Sequence, residues 1–186
     1  KKIQEGANAV IRFVMPERAL SFTDIVRGKI EFNTALTGDI VIAKSLHAPL
    51  YNFAVVVDDQ EMAITPVIRG ADGIPNTPKQ IPLQEALGFK HPHYAHIPLI
   101  LDADRTKMSK RNSATALKEY KDAGYLPEAI ITFLALLGWH PVDNREVFTI
   151  NDLVATFDIE RAQKAGAVFS LEKLNWMNAH YIKQMG

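Results

Sequence analysis

The chain has 186 residues, 47% of them apolar and 23% charged, and its 21 basic and 21 acidic side chains give a formal net charge of zero. This is the composition of a globular protein, and it excludes long-range electrostatic steering by the whole molecule, so any nucleic-acid contact has to come from local patches. The absence of cysteine excludes a disulfide scaffold and a cysteine-ligated metal. No run approaches the roughly 18 apolar residues of a membrane helix and no secretory signal is visible, which makes a cytoplasmic setting the default.

In chain order, residues 9–15 are apolar and β-branched and predict a strand that ends at Pro16-Glu17. A second strand is expected over 22–30, with imperfect alternation and a turn-like Arg27-Gly28-Lys29. Thr37-Gly38-Asp39 reads as a turn and residues 40–43 as a short strand. Residues 51–59 carry three consecutive valines, which favour strand by propensity, although Pro49 before and Asp58-Asp59 after would equally suit a short buried helix. A strand is expected over 63–69, ending in Gly70-Ala71-Asp72-Gly73. Thr77-Pro78-Lys79-Gln80 has the form of a capping box with proline at the first helical position, and the helix it predicts runs to Leu87 and stops at Gly88. Pro82 lies deep enough to perturb its second turn.

Residues 96–101 predict the next strand. Strand, helix, strand over this span forms a βαβ unit, which implies a parallel sheet with ligands beyond the carboxyl ends of its strands. Two equipped loops would sit at those ends. One runs from Arg69 to Asp72; the other is the basic stretch Lys107-Met108-Ser109-Lys110-Arg111. Lysines at fixed spacing on a polar loop suit phosphate binding, because each ammonium is a compact charge with three donors. Helices are predicted over 115–123, 127–137, 151–157 and 171–185, the last with Ser170 as its N-cap. The second is apolar almost all round and should be buried. In the last, Leu171, Leu174, Met177, Tyr181, Ile182 and Met185 follow helical spacing and are assigned to the core. The six histidines show no ligand spacing, and Asp58-Asp59 reads as the polar end of a helix rather than a metal site.

The lysine stretch resembles the KMSKS signature of class I aminoacyl-tRNA synthetases. It comes with Tyr51-Asn52-Phe53-Ala54-Val55-Val56-Val57-Asp58-Asp59, Val67-Ile68-Arg69-Gly70, Asn76-Thr77-Pro78-Lys79-Gln80, Gly124-Tyr125-Leu126-Pro127-Glu128-Ala129 and Leu136-Leu137-Gly138-Trp139. That ordered set, from about residue 10 to 183, resembles bacterial-type glutamyl-tRNA synthetase. The resemblance implies an α/β plus all-α architecture. Residues 1–50 would be the β-rich tail of the connective, acceptor-binding insertion. Residues 51–112 would be the second half of the Rossmann-like catalytic domain, and 113–186 a helical stem-contact domain. It also implies that the valine run is helical. The first half of the catalytic domain, with its His-Ile-Gly-His signature, and the anticodon-binding region have no counterpart here; His96-Ile97-Pro98-Leu99 is a decoy. With a start at Lys1 rather than Met, the expectation is an internal piece of a longer chain.

By the same resemblance, Lys110 and Lys107 would be catalytic, stabilising the leaving pyrophosphate. Lys107, Met108, Ser109, Lys110 and Asp72 would contact ATP, Met108 through its backbone at adenine. Arg69 and Tyr51 would bind the glutamate substrate. The implied ligands are ATP with Mg2+, L-glutamate and the tRNA acceptor stem, with no metal held by these residues and with the rest of the synthetase chain as partner. The departures are Pro66, where the family usually has His, Ala71-Asp72-Gly73 in place of Glu-Asp-His, and Asn112-Ser113 in place of His-Gly. They leave an alternative, a divergent or truncated relative that binds nucleotide or RNA without catalysing aminoacylation. Loss of the ring at Gly73 would weaken ATP binding or free the following turn.

Overall fold

The structure is a computed structural model and describes residues 9–108 and 116–185. The chain divides into two compact units, Lys1–His96 and Ile97–Gly186, a division that coincides with neither 50/51 nor 112/113. Each unit has its own interior.

In the first unit, β1 (Ile11–Phe13), β4 (Ile40–Ser45) and β5 (Ala48–Pro49) form a three-stranded sheet with antiparallel pairs. A second sheet has the order β3-β2-β7-β6. Its strands are β2 (Ala19–Asp24), β3 (Gly28–Asn33), β6 (Val67–Gly70) and β7 (Tyr94–Ile97). The single strand expected over 22–30 is therefore a hairpin. Its three-residue connection, 25–27, delivers the chain to Gly28 at φ +78°, a conformation glycine adopts without the Cβ penalty. The hairpin is antiparallel, and Asp24 pairs in parallel with Tyr94 of β7. The sheet is mixed, where the βαβ unit alone predicted a parallel one. Strands on both sides of residue 50 share it. Leu20, Ile81 and Tyr94 form its buried apolar centre, with Phe22 and Val67 packed against them.

The valine run forms the helix α1 (Tyr51–Glu61), as the resemblance implied and against local strand propensity. Val56 is buried, and α1 packs on β4 and on α2 (Thr77–Ala86); tertiary burial of one face outweighs a weak preference. Strand β6 begins only at Val67, four residues later than expected. A 3₁₀ helix, Ala71–Asn76, then runs directly into α2. The predicted capping box does not form. Thr77 is already helical and donates its amide to Ile74 O, so no N-cap is needed, and the side chains of Thr77 and Gln80 turn to another task. The helix continues through Pro82. It closes as anticipated at Gly88 (φ +72°), with Gly88 N donating to Glu85 O and Phe89 N to Gln84 O, the pair of bonds of a Schellman motif.

The strand expected over 96–101 is two strands in two sheets. Pro98 offers no N–H to a ladder. Strand β7 stops at Ile97, and β8 (Ile100–Leu101) pairs in parallel with β9 (Ala167–Val168). The basic stretch thus follows a strand of the second unit rather than one in the sheet of Arg69.

The second unit is mainly helical: α3 (Leu117–Asp122), α4 (Pro127–Gly138), α5 (Ile150–Thr156) and α6 (Leu171–Gln184). Helix α5 carries a full capping box from Thr149 and Asp152. Ser170 caps α6 as predicted, accepting from Lys173 N at 3.1 Å. Ala129, Ile130, Phe133, Leu174, Met177 and Tyr181 form the main core, and Trp139, Phe148 and Leu153 a second one. Two burial expectations fail. Ile131 and Leu134 of α4 are exposed, as are Leu171 and Ile182 of α6 and Met185 at its C-cap; the α4–α6 seam itself is dry.

The Tyr181 hydroxyl is buried at that seam. It accepts from Phe148 N at 3.1 Å, donates to Phe148 O at 2.7 Å and lies 2.6 Å from Thr132 Oγ1. Tyr181→Phe keeps the ring but strands a buried amide, so it should lower stability by about 1–3 kcal/mol. A urea titration of the variant followed by circular dichroism measures this.

Candidate functional site

Arg69 is the half-buried third residue of β6. Its Nε donates to His96 Nε2 at 3.0 Å, and its Nη2 donates to Thr77 Oγ1 and to Gln80 Oε1, each at 2.9 Å. The guanidinium also lies over the Tyr94 ring, 5.6 Å from its centroid. The acceptors come from β7 and α2, so packing of the sheet against the helix sets the arginine's direction. Gln80 in turn donates to Asn52 Oδ1 at 3.0 Å, which ties the start of α1 into the same chain of bonds. Tyr51, beside Asn52, opens α1 and is 59% exposed. Its ring is available to a ligand.

Behind Arg69 lies a buried ion. Asp24 and His96 are both inaccessible to solvent. Asp24 Oδ1 accepts from Val26 N at 3.0 Å and Arg27 N at 2.9 Å, while Oδ2 accepts from His96 N at 3.1 Å and lies 2.6 Å from His96 Nδ1. Burial alone would raise the Asp24 pKa. The His96 bond and the amides of Arg27, His96 and Val26 more than offset it and hold the carboxyl below its ordinary 3.8. For His96, burial is the main cause of a pKa below 6.5; the Asp24 bond and charge oppose it, and the charges of Arg69 and Arg27 add to it. Asp59 shifts the other way. Burial raises it most, Arg69 draws it down and Asp58 pushes it up.

Asp72 is exposed in the 3₁₀ turn three residues beyond Arg69. Gly73 makes room for the arginine: a Cβ there would lie 2.5 Å from Arg69 Nε and 2.6 Å from Cδ. The missing ring at this position therefore has a steric correlate within the arginine site.

In the second unit, the stretch after β8 is a tight turn. Asp102 N donates to Thr106 O at 2.9 Å, Arg105 N to Asp102 O at 2.8 Å and Met108 N to Ile100 O at 3.0 Å. Lys107 bridges back to Leu101 and is exposed. Thr106 donates its amide and hydroxyl to Asp104 Oδ1, which lowers the Asp104 pKa below 3.8. Met108 lines a largely apolar cavity of about 850 Å³ with Asp102, Tyr120, Tyr125 and Phe169. Ser109, Lys110, Arg111, Asn112 and Ser113 lie outside the described residues. Among the described residues no group of three His, Cys, Asp or Glu could hold a metal ion, and no helix is long and apolar enough to cross a membrane.

A family model described as tRNA synthetases class I (E and Q), catalytic domain, matches residues 1–176. The chain belongs to this family. It is 50% identical over 184 residues to the glutamate–tRNA ligase of Carboxydothermus hydrogenoformans, and 50% identical over 181 residues to that of Desulforamulus reducens. These alignments cover 98% and 97% of this chain but 38% of each relative, so the chain spans well under half the length of the curated relatives it matches. A crystal structure of a glutamate tRNA ligase from Elizabethkingia meningosepticum in complex with its amino acid superposes with a TM-score of 0.89. It is 39% identical and covers 98% of this chain and 40% of that one. A second crystal structure, the glutamate-tRNA synthetase of Elizabethkingia anophelis, gives 0.88 at 38% identity. A Rossmann-like α/β part followed by a helical part, as in those structures, is the fold of this chain.

Sequence reasoning picked out Arg69 and Tyr51 and missed Asp24, Thr77, Gln80 and His96 as the arginine's surroundings. Thr77 and Gln80 were absorbed by a helix-start pattern, and His96 was set aside with its decoy tetrapeptide. Asp24 fell inside the single strand expected over 22–30, and the strand end that buries it is seen only in the structure.

Burial holds the His96 pKa below its ordinary 6.5 in the fold, so the unfolded chain takes up that proton first as pH falls. The unfolded state binds more protons there, and stability must drop with pH. The urea midpoint should be lower at pH 5.5 than at 7.5. In His96→Gln that drop should be smaller, which urea titrations at the two pH values test.

Proposed function

We propose that these residues form part of a glutamate–tRNA ligase. The activity is ATP-dependent conversion of L-glutamate to glutamyl-adenylate and transfer of the glutamyl group to tRNA. The observation that carries this reading is the Arg69 guanidinium, held in one orientation by three uncharged acceptors. None of them is a carboxylate, so a substrate carboxylate would be the arginine's direct counter-ion. A guanidinium pairs with a carboxylate in bidentate fashion, and a glutamine amide would forfeit the ion pair. Tyr51 supplies a further contact to glutamate, and Asp72 contacts ATP.

In the first step the glutamate α-carboxylate attacks the α-phosphorus of ATP and pyrophosphate leaves. Negative charge grows on that leaving group. Lys107 and Lys110 stabilise it more in the transition state than in the ground state, and Ser109 donates to a phosphate oxygen. The Met108 amide is committed to Ile100 O, so adenine is met by the Met108 carbonyl. Magnesium arrives on the ATP phosphates, as is usual for an ion that keeps few protein ligands. Residues 1–50 and 113–186 serve the tRNA acceptor stem, as the connective insertion and stem-contact domain respectively, and 51–112 complete the catalytic domain. The setting is cytoplasmic.

Glutamate-dependent ATP–pyrophosphate exchange tests the reading in the full-length protein. Lys110→Ala should lower the exchange rate by about 10²–10³. Arg69→Ala should raise the KM for glutamate by roughly one to two orders of magnitude with little change for ATP. The 186 residues by themselves should give no exchange. An unchanged rate in Lys110→Ala would remove that lysine from the mechanism.

A further inference from the structure

The contacts behind Arg69 define more than a buried ion pair. Asp24 receives three backbone amides and faces His96 Nδ1 at 2.6 Å. An ionised carboxylate only accepts hydrogen bonds, so the proton between them sits on Nδ1. Arg69 Nε has only a hydrogen to offer, and it lies 3.0 Å from His96 Nε2. Nε2 must therefore carry the lone pair. The two bonds demand the same neutral tautomer, and each enforces it for the other. Protonated His96 would set N–H against N–H at Arg69.

The charges around the imidazole complete the arrangement. From β2 comes Asp24, from the hairpin turn Arg27, whose Nε donates to His96 O at 3.1 Å, and from β6 Arg69. Thr77 Oγ1, from α2, lies 3.4 Å from the same Nε2. The Asp24 charge reaches the arginine only through the ring. It orients Arg69 without occupying it as a direct counter-ion.

We propose that Asp24 and His96 are positioning residues for glutamate recognition: Asp24 fixes His96 with its proton on Nδ1, and the buried Nε2 lone pair fixes the guanidinium that receives the substrate's side-chain carboxylate. This rests on the reading of Arg69 as the glutamate-binding arginine. The logic is that of an aspartate holding a histidine in its working tautomer in a hydrolase triad, applied here to substrate orientation rather than proton transfer.

Asp24→Asn tests the tautomer. The new amide must turn its NH2 either to two backbone amides or to His96. The second loses fewer bonds and drives the ring proton to Nε2, against Arg69. His96→Leu removes the acceptor altogether. His96→Gln can donate to Asp24 and accept from Arg69, so it is the conservative rescue.

The experiment is glutamate-dependent ATP–pyrophosphate exchange in the full-length protein, with a thermal melt for every variant. Asp24→Asn and His96→Leu should raise the KM for glutamate about ten- to a hundredfold, with the KM for ATP within about twofold of the parent value. His96→Gln should recover most of the loss. His96→Leu combined with Arg69→Ala should be no worse than Arg69→Ala alone, because residues acting through one another are not additive.

A purely structural role predicts otherwise. Equal rises in both KM values, additive losses in the double variant, or a folded His96→Gln as impaired as His96→Leu would each overturn the proposal. If Arg69→Ala impairs glutamate binding and His96→Leu does not, the positioning role alone fails. If Arg69→Ala leaves the glutamate KM unchanged, the assignment of Arg69 fails and this proposal with it.

Discussion

Holding a half-buried guanidinium still takes acceptors, and choosing uncharged ones leaves its charge available. The first unit meets both conditions with His96, Thr77 and Gln80. The cost is transferred inward. A neutral imidazole that must accept on one nitrogen needs a strong acceptor on the other, and Asp24 is that acceptor. The Asp24 charge is then fully buried and has to be satisfied from every side. The hairpin turn at 25–27 supplies two amides and β7 supplies a third. The parallel pairing of β2 with β7 serves this. Strand β2 has to end beside β7 for Asp24 to reach His96, and the register Asp24↔Tyr94 puts it there.

The second unit solves a different problem with similar means. Helices α4 and α6 share an apolar seam, and Tyr181 crosses it with a hydroxyl that must find partners. Phe148 supplies both a donor and an acceptor through its backbone. The segment carrying Phe148, which has little secondary structure of its own, is thereby fixed against α6. Phe148 then packs with Trp139 at the end of α4. One phenol thus connects the unit's two cores. The exposed faces of α4 and α6 show that apolar periodicity reports the presence of a helix better than the extent of its burial.

What the sequence made legible was local. Helix ends with dedicated residues were read correctly at Gly88 and Ser170, because a left-handed C′ position and an N-cap hydroxyl act within a few residues. The valine run required the resemblance, since propensity and tertiary burial disagree there. The split of 96–101 at Pro98 was signalled by the proline itself, but the residues that pair with β8 lie 67 positions downstream and nothing local announces them. In the candidate site, Arg69 was legible through its motif and its cradle was not. Thr77 and Gln80 fit a capping box in spacing and chemistry. Only the 3₁₀ turn in front of them, which satisfies the helix start by itself, frees their side chains for the arginine.

That turn also bears on Gly73. Its φ is not in the left-handed region, so backbone conformation does not require glycine there. Space favours it: a Cβ would meet Arg69 at Nε and Cδ, and the arginine side chain would have to shift to admit one. The histidine that the resemblance predicts at this position could not coexist with the arginine as it lies here. A change that looks like the loss of an ATP-side ring also leaves Arg69 room for the arrangement it has here. Glycine lowers the order of the unfolded chain's constraints and so costs stability. Pro75, two residues on and inside the same turn, restricts that chain and works in the opposite sense. Position 73 and the arginine are in steric contact, so a side chain there would shift the guanidinium away from its bond to His96 Nε2.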